Sequence, residues 1–180
     1  LNDIVTKSGI NEMAYQQEPD SILWCVREDG EFVGLTYQRS ENVVAWHRHK
    51  LGGTFGTGSS ATGFGVVESV ASISGELTED ELYVIVKRTI NGATKRYVEV
   101  FAPFDFDETT STDFRFLDSH LTYSGGSTTT LSGLSHLEGQ VVSILADGAT
   151  HADKTVSSGS ITLDRSVTSA VVGLKYDSVL

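Results

Sequence analysis

The sequence predicts an all-β protein of propeller-blade-like antiparallel meanders, followed by a small inserted β-barrel or sandwich domain. Three observations predict it. Short β-branched and aromatic runs recur about every 8–12 residues with turn chemistry between them, which is the pattern of sequential strands. Glycine is used 18 times against 2 prolines, and the glycines punctuate rather than interrupt those runs. No stretch carries the 3.6-residue periodicity of a long amphipathic helix. The chain has 180 residues, a length that buries roughly 70% of its unfolded surface and so supports a real core.

The first strands are Ile10–Gln17, Ile22–Arg27, Phe32–Gln38 and Val43–His49. Pro19-Asp20-Ser21 makes the first turn and Arg39-Ser40-Glu41-Asn42 the third. Asp29-Gly30 makes the second, read as a type I′ pair with both residues at positive φ. Turns this short force neighbouring strands antiparallel. A glycine-rich loop, "GGTFGTGSSATGFG", follows and reads as a mobile connection between blades. Its G-x-G-x-x-A match at Gly56–Ala61 lacks the helix a phosphate site needs, because a strand comes next.

The meander then restarts with Val66–Ile73, Leu82–Thr89 and Lys95–Phe101, the last two joined by Asn91-Gly92. Residues 1–102 thus read as about one and three-quarter blades, because a fourth strand is missing from the second unit. Residues 103–114, "PFDFDETTSTDF", read as an acidic linker. Its Asp105, Asp107, Glu108 and Asp113 lack the Gly and Glu spacing of a calcium loop. Residues 115–180 read as five or six short strands of the small barrel or sandwich, with one helical turn at "LSHLE", Leu134–Glu138.

Charge and chemistry narrow the function. The formal net charge is −11, which disfavours binding to nucleic-acid phosphates or to anionic lipid. No apolar run approaches the roughly 18 residues of a membrane-spanning helix. The single cysteine, Cys25, has no partner for an internal disulfide and reads as a buried, inert thiol. Catalytic signatures such as G-x-S-x-G, H-E-x-x-H and C-x-x-C are missing, so no enzymatic activity and no cofactor are expected. Paired carboxylates in a cleft need no motif, so a glycosidase site stays open on sequence alone.

Two clusters stand out as candidate subunit contacts. One is Trp46, His47 and His49 at the end of the fourth strand. His47 and His49, two residues apart, share one strand face with Ala45, while Val44, Trp46 and Arg48 take the other. The plainest reading is an outer strand; zinc would need further ligands; tryptophan and histidine also suit an interface. The second cluster is Lys87, Arg88, Lys95 and Arg96, which flank the Asn91-Gly92 turn and read as a cationic hairpin tip on an acidic protein. It suits docking to an acidic neighbour, with a solvated hairpin end as the simpler alternative. Glu76, Glu79, Asp80 and Glu81 read as a polar blade loop.

Four strings then carry a family resemblance. "EMAYQQEPDSILWCVREDGEFVGLTYQRSENVVAWHRH", "YVIVKRTINGATKRYVEVF", "GLSHLEGQVVSILADGA" and "SGSITLDRSVTSAVVGLKY" resemble the tail nozzle family of short-tailed bacteriophages, also termed tubular tail protein B or phage stabilisation proteins. The resemblance spans roughly Ile10 to Tyr176. It implies a propeller-like body carrying an inserted β-domain. It also implies a structural subunit of a homo-oligomeric ring below the portal and adaptor, around the channel through which DNA leaves. Expected partners are other tail and adaptor subunits, with no sequence-specific nucleic acid and no membrane. The expected location is the virion tail, after synthesis in the host cytoplasm. The run "AVVGLKYDSVL" at one end and Leu1 at the other read as a segment of a longer protein. The alternative function is a receptor- or glycan-binding module in the second domain, with Tyr123 and Tyr176 as an aromatic platform.

Overall fold

The computed structural model describes residues 2–75, 79–102 and 115–176. The predicted linker and its acids, and Glu76, lie outside these described residues. The chain is all-β and its sheets are antiparallel; the described α-helix is the single turn α1 (Asn2–Val5). Two compact units form. Among the described residues, one holds 2–75, 79–88 and 95–102, and the other holds 89–94 and 115–176.

The first unit contains two sheets. β1 (Ile10–Gln16), β2 (Ile22–Arg27), β3 (Phe32–Gln38) and β4 (Val43–His49) form a meander in sequential order. β5 (Val66–Ser74), β6 (Asp80–Ile90) and β7 (Ala93–Val100) form the second, again in sequential order. Their registers sort residues into faces. Ala14, Trp24, Gly34 and His47 lie in one row across the first sheet, and Glu12, Val26, Phe32 and His49 lie in the next row on that face. Trp24, Val26 and Phe32 pack with Val67, Val70, Leu82, Val84 and Val86 in one core, so the sheets meet face to face. Each fully buried Val, Leu or Phe contributes about 1.5–3 kcal/mol.

The opposite face of the first sheet is covered in part. Val5 of α1 packs with Cys25 and Val33. Cys25 is completely buried, and burial raises its thiol pKa, so it is inert as expected. Beyond the helix this face stays open: Met13 is 59% and Val44 63% exposed.

Turn chemistry accounts for the registers, with one correction. At Asn91-Gly92 both residues have positive φ, 49° and 72°, as a type I′ hairpin requires. At Asp29-Gly30 only Gly30 does, with φ 80°. The Gly30 N–H donates to the Arg27 carbonyl at 2.9 Å, and the Arg27 N–H to the Glu31 carbonyl at 3.1 Å. This is a three-residue loop with a left-handed glycine at its end, rather than a two-residue turn. The Asp29 carboxylate takes part by accepting from the Glu31 N–H at 3.2 Å. Gly30 also touches the second sheet: its carbonyl accepts from the Val67 N–H, and a Cβ here would lie 2.3 Å from Val66 Cγ1.

The second unit is one four-stranded sheet rather than five or six short strands. It holds β8 (Asp118–Ser132), β9 (Val141–Ala146), β10 (Ala149–Thr155) and β11 (Ser160–Leu174) in the order β10-β9-β11-β8. "TYSGGSTTTLS" continues β8 through its glycines, and "ITLDRSVTSAVVGL" continues β11 across register shifts between Thr162 and Ser169. Such shifts bend a strand without ending it. The sheet wraps Leu131, Leu134, Leu137, Val142, Ile144, Val156 and Val172, all nearly or fully buried. No closed barrel forms among the described residues. The turn expected at Leu134–Glu138 is the 3-10 turn Ser135–Leu137.

Candidate functional site

The two histidines of β4 face inward, into an aromatic box. Trp24 stacks on Phe32 with centroids 5.0 Å apart. The His49 ring lies 5.1 Å from Trp24 and 6.4 Å from Phe101, and His47 meets Trp24 edge-on at 5.5 Å. Gly34 makes the room. It pairs with His47 across the strands, and a Cβ on it would lie 2.2 Å from His47 Cε1. The Trp24 indole N–H donates to Gln16 Oε1 at 2.8 Å, so the buried ring leaves no donor unpaired.

Both nitrogens of His47 are engaged: Nδ1 with His49 Nε2 at 2.6 Å and Nε2 with Thr36 Oγ1 at 3.1 Å. One imidazole must donate and the other accept, so the pair holds at most one extra proton comfortably. Burial first, and the neighbouring His47 second, lower the His49 pKa to about 4. Burial also lowers that of His47. A metal would need further ligands, and no group of three or more His, Cys, Asp or Glu side chains is placed to hold one among the described residues. Trp46 points to the other face, where it is half-buried against the Val5, Cys25 and Val33 cluster.

The cationic hairpin resolves differently from the sequence reading. Arg88 is fully buried. It follows Leu82, Val84 and Val86 in the inward alternation of β6. Its Nε donates to the Gly52 carbonyl at 2.7 Å and its Nη2 to Glu99 Oε2 at 3.0 Å. It therefore ties the glycine-rich loop to the second sheet, and it is a core residue rather than a docking contact. Lys87 and Arg96 both pair with Glu68, and the Lys87 ammonium sits 4.4 Å over the Phe55 ring. Lys95 is exposed. The glycine-rich loop is also braced within itself. The Thr62 N–H donates to the Phe55 carbonyl at 2.9 Å, the Phe55 N–H donates to Thr62 Oγ1 at 3.0 Å, and Leu51 bridges Gly65.

Some acids that read as loop polarity have defined jobs. Asp80 Oδ2 accepts from the backbone N–H groups of Gln17 and Glu18 at 2.7 and 3.2 Å, which fixes the β1–β2 turn and lowers its own pKa. Glu81 accepts from the Tyr83 hydroxyl at 2.6 Å. Glu31 is buried between Arg27 and Arg48, a network invisible in the sequence because it depends on the cross-strand register.

In the second unit the two tyrosines expected as an aromatic platform differ in exposure. Tyr123 is half-buried against the core, and its hydroxyl donates to the Gly126 carbonyl at 2.6 Å. Tyr176 is 40% exposed. Two tyrosines of the first unit are freer. Tyr15 and Tyr37, 54% and 51% exposed, line an open concavity of about 500 Å³ over the β1–β2 turn and the 3-10 turn Arg39–Glu41. No protein-family model matches the chain, and no curated protein matches it.

Proposed function

We propose that this chain is part of a structural tail protein of a bacteriophage, a nozzle-like subunit that works through its interfaces and performs no catalysis. The observation that carries this reading is the stacking of two sequential antiparallel meanders in one core, with apolar residues left on the outward faces of both sheets. On the first sheet these are Met13 and Val44, and on the second Ile73, Val98 and Val100, each more than half exposed. Blades of a propeller stack in this way, each sheet covering the next. Exposed apolar faces on both sides of a stack suit further sheets from the same protein or from neighbouring subunits. The strings that resemble the tail nozzle family supply the assignment to a virion, and the homo-oligomeric ring, the portal- and adaptor-proximal position and the DNA channel come with it.

Within this reading Trp46, Lys95 and the exposed apolar residues contribute to contacts, while His47, His49 and Arg88 hold the subunit's shape. The test is to sequence the DNA on both sides of this reading frame. The frame is expected to continue into further blade-like repeats, among genes for portal-like and adaptor-like products. A frame lying among genes of metabolism or the cell envelope overturns the proposal.

A further inference from the structure

The concavity at the turn end of the first sheet has the composition of a sugar site. Tyr15 and Tyr37 project from β1 and β3 on the same face, since Tyr15 pairs with Leu23, Leu23 with Leu35, and Tyr37 lies two residues beyond Leu35. Strand spacing and rise place their Cα atoms roughly 12 Å apart. Both rings are half-exposed rather than packed away. Between and around them stand Gln17, Glu18, Arg39 and Glu41.

The polar groups there are unspent. Gln17 and Glu18 are tied down through their backbone N–H groups on Asp80, which leaves the Gln17 amide and the Glu18 carboxylate for a ligand. Among the described residues no hydrogen bond or ion pair engages the side chains of Arg39 or Glu41, or the hydroxyls of Tyr15 and Tyr37. The turn itself is firmly built: the Tyr37 N–H donates to the Ser21 carbonyl at 2.9 Å, and Gln38 Nε2 to Asp20 Oδ1 at 3.1 Å. The site therefore offers two half-exposed tyrosine rings, donors from Arg39 and Gln17, and acceptors from Glu18 and Glu41, on a fixed frame.

We propose that this concavity binds a neutral oligosaccharide. Sugar rings present apolar C–H faces that stack on tyrosine and hydroxyl groups that both donate and accept, which matches the inventory. Two carboxylates against one guanidinium disfavour an anionic sugar. The site shares the outward face of the first sheet with Met13 and Val44, since Tyr37 pairs with Val44, so it is open in the free chain and a neighbouring sheet docked on that face would cover it.

The test is NMR titration of the full chain with cellotriose and chitotriose as neutral probes and 3′-sialyllactose as an anionic one. A neutral probe is expected to shift the amide resonances of residues 15–21 and 37–41. Tyr15→Ala and Tyr37→Ala are each expected to weaken binding about tenfold, as loss of a stacking face does, while Tyr37→Phe keeps most of it. Arg39→Ala, a surface change that leaves the strands intact, is expected to weaken binding as well. Absence of shifts at tens of millimolar probe, shifts confined to other residues, indifference to the two Tyr→Ala changes with the spectrum otherwise native, or preference for sialyllactose each overturns the proposal.

Discussion

His47 Nδ1 and His49 Nε2 lie 2.6 Å apart inside a box of aromatic rings, two residues apart on one strand face. The pair is a packing element whose protonation state is coupled to the core of the first unit. Unperturbed imidazole titrates at 6.5, and His49 in the fold at about 4. Between these values the unfolded chain binds a proton that the folded chain does not, so stability falls as pH drops from about 6.5 to about 4. Denaturant titrations followed by the fluorescence of Trp24 and Trp46 across this range should show the loss, and His49→Gln should flatten it.

Gly34 is the space in which that pair sits. Gly34→Ala is expected to destabilise the first unit by roughly 1–3 kcal/mol, because the new methyl must push the His47 ring out of its place. Chemical denaturation reads the change. Adding His47→Ala to the variant should recover part of it, since the clash partner is then gone.

Arg88 and Lys95 separate core from surface on one hairpin. Arg88→Met leaves the Glu99 carboxylate without its guanidinium and removes the tie to Gly52, and is expected to cost about 3–5 kcal/mol. Lys95→Met, at an exposed position, is expected to change stability by less than about 0.5 kcal/mol. Thermal unfolding of the two variants side by side distinguishes them.

Asp147 holds the second unit's sheet at a different pH. It sits at the β9–β10 turn, where its Oδ1 accepts from the backbone N–H groups of Ser169 and Thr168 at 2.9 and 3.0 Å. Those bonds favour the charged carboxylate and lower its pKa to about 2. The stability it contributes is fully present above the ordinary value of 3.8 and is lost as pH falls through about 2. Protection of the Thr168 and Ser169 amides, measured relative to their intrinsic exchange rates, should therefore fall as pH drops from about 4 to about 2 in the native chain, and be reduced at neutral pH in Asp147→Ala.

The strands of the first unit were legible because each obeys its own local rules. Apolar runs of strand length between turn residues place β2, β3 and β4 at their observed limits. The buried state of Arg88 was also within reach, since the alternation Leu82, Val84, Val86 puts it on the inward face; its charge invited the surface reading instead. The orientation of His47 and His49 was not legible. Parity shows that they share a face, but which face is inward depends on the cross-strand partners Gly34 and Trp24. In the second unit Ser, Thr and Gly inside β8 and β11 read as turns, whereas bulges carry those strands through. The concavity between Tyr15 and Tyr37 joins two turns that only the fold brings together.

We propose that the outward sheet faces are interfaces of a ring-forming tail subunit. Cryo-electron microscopy of the product of the complete reading frame decides between assembly and dispersion. Rings around an open channel are expected, with Met13 and Val44 buried against a neighbouring sheet, and loss of assembly on Val44→Glu. Dispersed monomers at every concentration, with that face open to water and Val44→Glu without effect, would contradict it.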